Sequence, residues 1–518
     1  MANQTPPREG EDKASALTNN AAAIRAIASA VEGTIGPKGL DTMLVDRYGD
    51  VLITNAGVTI LEKMDVNHPA ARLLLNVAKA QQEEIGDGTT TATIMASSLV
   101  NEGAEQVKRG VPIARVIEGV KFGIKHALES IEFHSRSLTD MNREVLKQVA
   151  LVAGREHEDI AELVVEAASL MGREKLCDTA FRLSQMILAK EGAQNEVFLG
   201  VMIEKEPLHK DMPHQLKDVS VLLFDDALEP DEFDEEALAT ESGFARYMAI
   251  QQEFRESVEK ILQLGVKFIL TDKGIHPFAE EAFTDAGIMV LTRVPGRTVR
   301  QVAEHTGAKR VKRSALKRNL AEFAMVLGHA SQVYHDERLG HVRVLGGNGK
   351  AIATILVGAS TAEVVGERER IAKDAASSVQ AAVRGGIVPG GGALEIAAAR
   401  DILKLRDQLK GMSAYGLDCV VEALKRPLAQ IVENAGFNPL EKVEEALAAQ
   451  ANENNDCLTI NCDTGEVADL YQQGIIDPTL VKIHALKAAG EVAIAILRID
   501  TIIKKREVEP QQGQGLAG

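Results

Sequence analysis

The segment Gly86-Asp87-Gly88-Thr89-Thr90-Thr91-Ala92-Thr93-Ile94 sets a carboxylate between two glycines, directly before a run of hydroxyls that opens a helical pattern. That arrangement suits a metal-bound triphosphate. A helix N-terminus offers unpaired N–H groups and a positive dipole end, glycine admits the phosphates closely, and threonine adds hydroxyl ligands. Asp87 would hold Mg²⁺, a hard cation that prefers oxygen. The same residues also describe an ordinary turn with a threonine N-cap, so the segment needs its neighbours to decide between the two.

The chain has no G-x-x-x-x-G-K-[ST] loop, which excludes the ordinary P-loop ATPases. Gly346-Gly347-Asn348-Gly349-Lys350 lies between alternating apolar runs and reads as a hairpin turn. Gly513-Gln514-Gly515-Leu516-Ala517-Gly518 fits G-x-G-x-x-G but precedes no helix, and reads as a flexible tail. Phosphate contacts therefore fall to the loop Thr34 to Gly39, where Gly36 can present backbone N–H groups, and to Gly88 to Thr91. Taken singly, Gly390 to Gly392 is a strand-to-helix turn, Asp477-Pro478 a helix N-cap with Pro at N1, and Asp374 an exposed helical acid.

Helical periodicity predicts the elements that position these residues: 15–33, 69–84, 89–108 and 112–134, then 394–410, 413–434 and 479–499, with a strand hairpin over 41–62. Leu480, Ile483, Leu486, Ala489, Ala493, Ile496 and Leu497 form the core stripe of the last helix. The middle of the chain changes texture. Short apolar strands at 197–203, 219–224, 268–270 and 288–291, the last two joined by a helix from Pro277 to Ala286, make a β-α-β unit. An α/β domain is thus inserted into an α domain whose first and last thirds fold together. Residues 229–264 begin with Glu229, Asp231, Glu232, Asp234, Glu235 and Glu236, then pair Phe244 with Met248 ahead of Phe254, Val258, Ile261 and Leu262. Periodicity alone fits a surface helix packed on its own domain as well as one that projects from it.

A chain of 518 residues exceeds one typical core. With no Trp and 3% aromatics, its cores must rest on Ala, Leu, Ile and Val in close helix packing. The formal charge of −17 opposes a nucleic-acid scaffold. Cys177, Cys419, Cys457 and Cys462 form no CxxC pair and are expected to be reduced and buried. The polar stretch Met1 to Lys13 and the lack of a long apolar run lead to the expectation of a cytoplasmic protein without membrane or nucleic-acid partners.

Several motifs recur in a fixed order: Thr34-Ile35-Gly36-Pro37-Lys38-Gly39, Thr54-Asn55-Ala56-Gly57-Val58-Thr59-Ile60, Asp65-Val66-Asn67-His68-Pro69-Ala70-Ala71, the Asp87 segment, Pro389-Gly390-Gly391-Gly392-Ala393 and Gly474-Ile475-Ile476-Asp477-Pro478. Together they resemble the chaperonins, most closely the thermosome-like group II class of archaea and the eukaryotic cytosol, from about residue 15 to 505. Two departures and a divergent lid sequence make the chain look like an outlier of that class, of the kind found in some bacteria.

The resemblance implies a multidomain α and α/β chaperonin fold: an equatorial ATP-binding domain (1–130 and 387–518), an intermediate domain (131–195 and 351–386) and an apical domain (196–350). It makes the region at about 229–264 a helical protrusion serving as a built-in lid, so that no separate co-chaperonin is needed. It implies ATP and Mg²⁺, with K⁺ as an optional further cation. It assigns Thr34, Ile35, Gly36, Pro37, Gly88, Thr89, Thr90 and Thr91 to the triphosphate, Asp87 to the metal, and Gly391, Gly392 and Asp477 to the ribose. Asp374 matches the aspartate swung onto the nucleotide when the ring closes, a carboxylate that orients or deprotonates the attacking water. It also implies non-native polypeptide clients and a homo-oligomer of two stacked eight-membered rings.

Two positions depart from the family. Ala56 stands where a family Asp helps hold the catalytic water or metal, and a methyl cannot do this. Arg155, after Gly154, stands where a Lys senses the γ-phosphate and keeps its charge. The Ala56 departure keeps a second reading open: a nucleotide-binding holdase or trapped scaffold with impaired hydrolysis.

Overall fold

The computed structural model describes residues 9–49, 51–233, 240–317 and 320–502, with side chains from residue 16 onward apart from 317 and 320. The tail at 513–518, most of the Met1–Lys13 stretch, and Asp234, Glu235 and Glu236 lie outside the described residues. The chain forms two compact units: residues 1–155 with 377–518, and residues 156–376.

The first unit opens with α1 (Glu9–Glu32), β1 (Thr42–Val45), β2 (Val51–Thr54), α2 (Gly57–Lys63), α3 (Pro69–Glu84), α4 (Thr89–Lys108), α5 (Ile113–His134) and α6 (Arg143–Ala153). The second unit contributes α7 (Glu158–Cys177), β3 (Ile187–Glu191), β4 (Glu196–Ile203), β5 (Gln215–Phe224), α8 (Glu241–Gln263), β6 (Phe268–Thr271), α9 (Pro277–Asp285), β7 (Met289–Leu291), α10 (Gly296–Thr306), β8 (Arg310–Val311), α11 (Leu320–Ala324), β9 (Gly328–Asp336), β10 (His341–Gly347) and β11 (Ala353–Ala359). Helix α12 (Ala362–Gly385) carries the chain back to the first unit. There follow β12 (Ile387–Pro389), α13 (Ala393–Leu403), α14 (Ala414–Asn434), α15 (Pro439–Glu453), β13 (Leu458–Ile460), β14 (Val467–Asp469), β15 (Ile476–Pro478) and α16 (Thr479–Leu497).

The first unit is a helical core of small side chains. Ala92, Ala96 and Leu99 of α4 pack with Leu417 and Val420 of α14 and with Leu486, Ala489 and Ala493 of α16. Close approach explains the composition: a Cβ on Gly119 of α5 would lie 1.9 Å from the Ser413 carbonyl oxygen, and one on Gly416 of α14 would lie 2.1 Å from that of Val116. Helices that close leave no room for aromatic rings. The β1–β2 hairpin is the exception to this burial, with Met43, Val45, Val51 and Ile53 exposed.

The second unit is built on a mixed sheet in the order β3-β11-β4-β10-β9-β5-β6-β7, with β8 added beside β5. Strand β6 runs parallel to β7 through α9, as the β-α-β reading expects. Helix α8 is split in its burial: Phe254, Val258 and Ile261 enter the core of this unit, whereas Phe244 and Met248 are exposed.

Four expectations need correction. The strand region ends at Thr54, and 57–63 is helix α2, because Ile60 and Leu61 bury against Val31 and Ala78. The helix expected to 410 stops at Leu403. Residues 346–350 do not turn a hairpin, since β10 and β11 both pair with β4, on its opposite edges. That connection instead bonds to the end of α10, Gly349 N–H to the His305 carbonyl at 2.8 Å and Lys350 N–H to that of Glu304 at 2.7 Å. The cysteines are free, but only Cys419 and Cys457 are buried, and Cys177 is exposed.

Candidate functional site

Three segments of the first unit meet at the start of α4. The Thr34 hydroxyl lies 3.5 Å from that of Thr90, and a Cβ on Gly57 would sit 2.5 Å from the same Thr90 oxygen. The loop after α1 is pinned from behind by Asn434, whose side-chain amide donates to the carbonyls of Glu32 and Ile35, each at 2.9 Å. Helix α4 is capped by Gly88 rather than by a threonine, in left-handed backbone (φ 78°), with no side-chain cap. The turn-with-threonine-cap reading therefore fails here, and the first N–H groups of α4 have no protein acceptor from its cap residue.

The Asp87 turn is fixed on every side. Oδ1 accepts from the Gly88 N–H at 2.6 Å, and Oδ2 from the Ser378 hydroxyl of α12 at 2.5 Å. Gly86 lets that helix come close, since a Cβ there would lie 2.3 Å from the Ser377 hydroxyl. The side-chain amide of buried Gln81 donates to the Asp87 carbonyl at 2.7 Å and to that of Val481 at 3.3 Å, while its oxygen meets His484 Nδ1 at 2.7 Å. Burial raises the Asp87 carboxyl above its ordinary value; the Ser378 hydrogen bond opposes this, and the negative charge of Asp477 adds to it.

A second pair of turns completes the site. Strands β12 and β15 pair antiparallel with Val388 opposite Asp477, and each leads into a helix. Gly390 lies against Asp477, whose Cγ would be 3.2 Å from a Cβ at that position. Gly392 caps α13, and the Thr459 hydroxyl donates to the Gly391 carbonyl at 3.0 Å. The cap of α16 is Pro478, so Asp477 belongs to the strand and is not the N-cap. Its Oδ2 instead meets Lys482 Nζ at 2.7 Å, and the same ammonium meets Glu395 Oε1 of α13 at 2.6 Å. Burial alone would favour neutral Lys482, but the charges of Asp477 and Glu395 outweigh it and hold the ammonium well above its ordinary pKa. The two halves touch, since a Cβ on Gly88 would lie 2.6 Å from Val481 Cγ1.

Thr34 to Pro37, Ala56, Asp87 to Thr91, Gly391, Gly392 and Asp477 thus line contiguous turns of one unit. Ala56 is buried, at the N-cap of α2, with no side-chain cap bond. Arg155 follows α6 in left-handed backbone (φ 54°) and is not joined to these turns by the bonds just described. Asp374 belongs to the other unit. It is not the exposed acid expected: its side chain is 18% exposed and accepts from Arg370 Nη1 at 2.6 Å. Arg370 also holds Glu367, at 2.5 Å. Sequence reasoning passed over Gln81, Ser378, Glu395 and Lys482; the usable signal was a single charge inside an otherwise apolar helical run, as in Thr479-Leu480-Val481-Lys482-Ile483.

The donor set fits magnesium with a triphosphate. Mg²⁺ takes one or two carboxylates and completes its shell with phosphate oxygens and water, and Asp87 has oxygen lone pairs beyond its two hydrogen bonds, beside an open helix N-terminus.

The profile of the TCP-1/cpn60 chaperonin family matches residues 27–507. The chain is 34% identical over 513 residues to a thermosome subunit of Pyrococcus abyssi, covering 95% of this chain and 92% of that protein. It is 32% identical over 520 residues to the thermosome subunit beta of Sulfurisphaera tokodaii, covering 96% and 92%. A crystal structure of a group III chaperonin in the open state superposes with a TM-score of 0.86 at 44% identity, over 95% of this chain and 100% of that one.

Proposed function

Since the chain belongs to the TCP-1/cpn60 chaperonin family, we propose that it is an ATP-driven folding chaperone whose nucleotide site is the set of turns around Asp87. The observation that carries this reading is the Asp87 carboxylate, fixed by an amide and a hydroxyl at the open end of α4. In that role Asp87 holds Mg²⁺, which offsets phosphate charge when bound. Gly88 to Thr91 and Thr34 to Pro37 give N–H and hydroxyl donors to the phosphates. Gly391, Gly392 and Asp477 take the ribose, and Arg155 the γ-phosphate. Asp374, oriented by its ion pair with Arg370, accepts the proton of the attacking water. K⁺ is a further cation that the oxygen-rich turns could hold.

The five-part division into equatorial, intermediate and apical domains, at the boundaries expected from the sequence, belongs to the same proposal. So do a homo-oligomer of two stacked eight-membered rings, a cytoplasmic location, broad non-native clients and the absence of a separate lid protein. Exposed apolar side chains on β1 and β2 support contact between subunits. Exposed Phe244 and Met248 on α8 support a protruding lid helix. Among the described residues, no helix is long and apolar enough to cross a membrane.

Ala56 favours a second reading, a holdase that binds nucleotide but hydrolyses little. Steady-state ATP hydrolysis by the purified assembly, with Asp374→Ala as the control, separates the two. Turnover lost in the control supports the cycling machine; tight nucleotide binding without turnover supports the holdase.

A further inference from the structure

The best-buried charges among the described residues of the first unit sit beside the β12 and β15 turns. Glu395 and Lys482 are 2% and 8% exposed, they belong to the first turns of α13 and α16, and Asp477 shares the same ammonium. A cation in the first turn of a helix opposes the helix dipole, and burying it costs more unless it is paired. Lys482 offsets the buried charge of Glu395, while β12 and β15 are tied without it by their ladder and by the bond from Gly390 N–H to the Ile475 carbonyl. Its second contact, to Asp477, is left to explain.

The geometry of Asp477 supplies the explanation. Its Oδ2 is taken by Lys482, while Oδ1 has no donor among the described residues and the side chain is 20% exposed. A carboxylate with one oxygen clamped by a buried ammonium has a fixed orientation, and its charge is partly offset, the ammonium being shared with Glu395. Such a group, already holding one cation on Oδ2, suits neutral hydroxyl donors on Oδ1.

Resting on the nucleotide reading above, we infer that Lys482 is a positioning residue for ribose recognition, holding Asp477 through Oδ2 so that Oδ1 accepts from a ribose hydroxyl, with Glu395 as its buried counter-ion. Lys482 touches no part of the nucleotide; it acts through Asp477.

The test compares equilibrium binding of ATP, 2′-deoxy-ATP and 3′-deoxy-ATP to the intact assembly with Mg²⁺ present. Lys482→Met alone leaves two carboxylates facing each other and can fail to fold, so the decisive variant is Lys482→Met with Glu395→Gln, checked by thermal melting. Wild type is expected to bind ATP on the order of 10-fold more tightly than at least one deoxy form, as for a hydrogen bond to a charged acceptor. In the double variant ATP should fall to the affinity of that deoxy form, while the deoxy form itself binds as before. Undiminished discrimination in the variant overturns the inference alone, as does an equal loss for all three nucleotides, which marks a structural role. No discrimination by wild type overturns the ribose role of Asp477, and absence of ATP binding by wild type overturns the nucleotide reading and the inference with it.

Discussion

Asp87 and Asp477 are two carboxylates at two turns of one site, and they are held in opposite ways. Asp87 is held by neutral donors, an amide and a hydroxyl, with no cationic side chain in contact among the described residues. Asp477 is gripped by a buried ammonium. On the proposed reading the first, without an ammonium of its own, suits a cation, and the second, whose charge is partly offset by an ammonium shared with Glu395, suits uncharged hydroxyls. The partners of a carboxylate thus decide its ligand, more than the carboxylate does itself.

The largest test of this contrast is Asp87→Asn, which keeps the shape and removes the charge. Magnesium-dependent turnover should drop by on the order of 10³, measured by steady-state hydrolysis; a change of only a few fold would mean that Asp87 is no different in kind from Asp477. Next comes Ala56→Asp, which adds a further carboxylate near the start of α2 and should raise turnover by about 10² with ATP affinity little changed. Unchanged turnover would remove position 56 from the chemistry.

Ser378→Ala sharpens the comparison. Loss of a hydrogen bond to a charged oxygen should weaken magnesium-dependent nucleotide binding about 10-fold. It should also shift the pH dependence. Burial already raises the Asp87 carboxyl, and the Ser378 bond lowers it, so protons compete with the metal at higher pH than for an ordinary carboxylate. Removing the hydroxyl moves the acid limb of the binding curve further up in pH; a downward shift would reverse the assigned role. In the metal-free protein the sign is set by the same raised value. Native Asp87 binds its proton more tightly than the unfolded chain does, so its contribution to stability falls as pH rises from 3.8 through the native value. Gly88→Ala should act on stability, costing about 1–2 kcal/mol for a left-handed position, plus displacement of Val481, read by thermal melting.

What could be read beforehand was mostly local. Helices α3 and α4 begin and end where periodicity puts them, because each has a continuous apolar face. Residues 57–60 were misplaced as strand because Val58, Thr59 and Ile60 are β-branched, a preference overruled when Ile60 and Leu61 found a helical core. The connection after β10 was misread because a hairpin is the short-range solution, whereas β4 comes between the two strands from about 150 residues upstream. In the site, Asp87, the threonines and the glycine turns announce themselves by spacing. Ser378 and Glu395 do not, since their partners are 291 and 87 residues away in the chain, and only folding makes them neighbours.

The split first unit has a consequence for synthesis. A ribosome delivers the chain from its N-terminus, so all of residues 156–376 emerges before β12, α14 or α16 exists. Domains generally fold as units during translation, and the inserted unit can bury its own sheet core while α4 still lacks the residues of α14 and α16 that cover it. The Asp87 turn waits likewise for Ser378 and Val481. A nascent chain of this protein therefore exposes an unfinished helical surface until α16 is made, which makes the folding of this unit a late and vulnerable step.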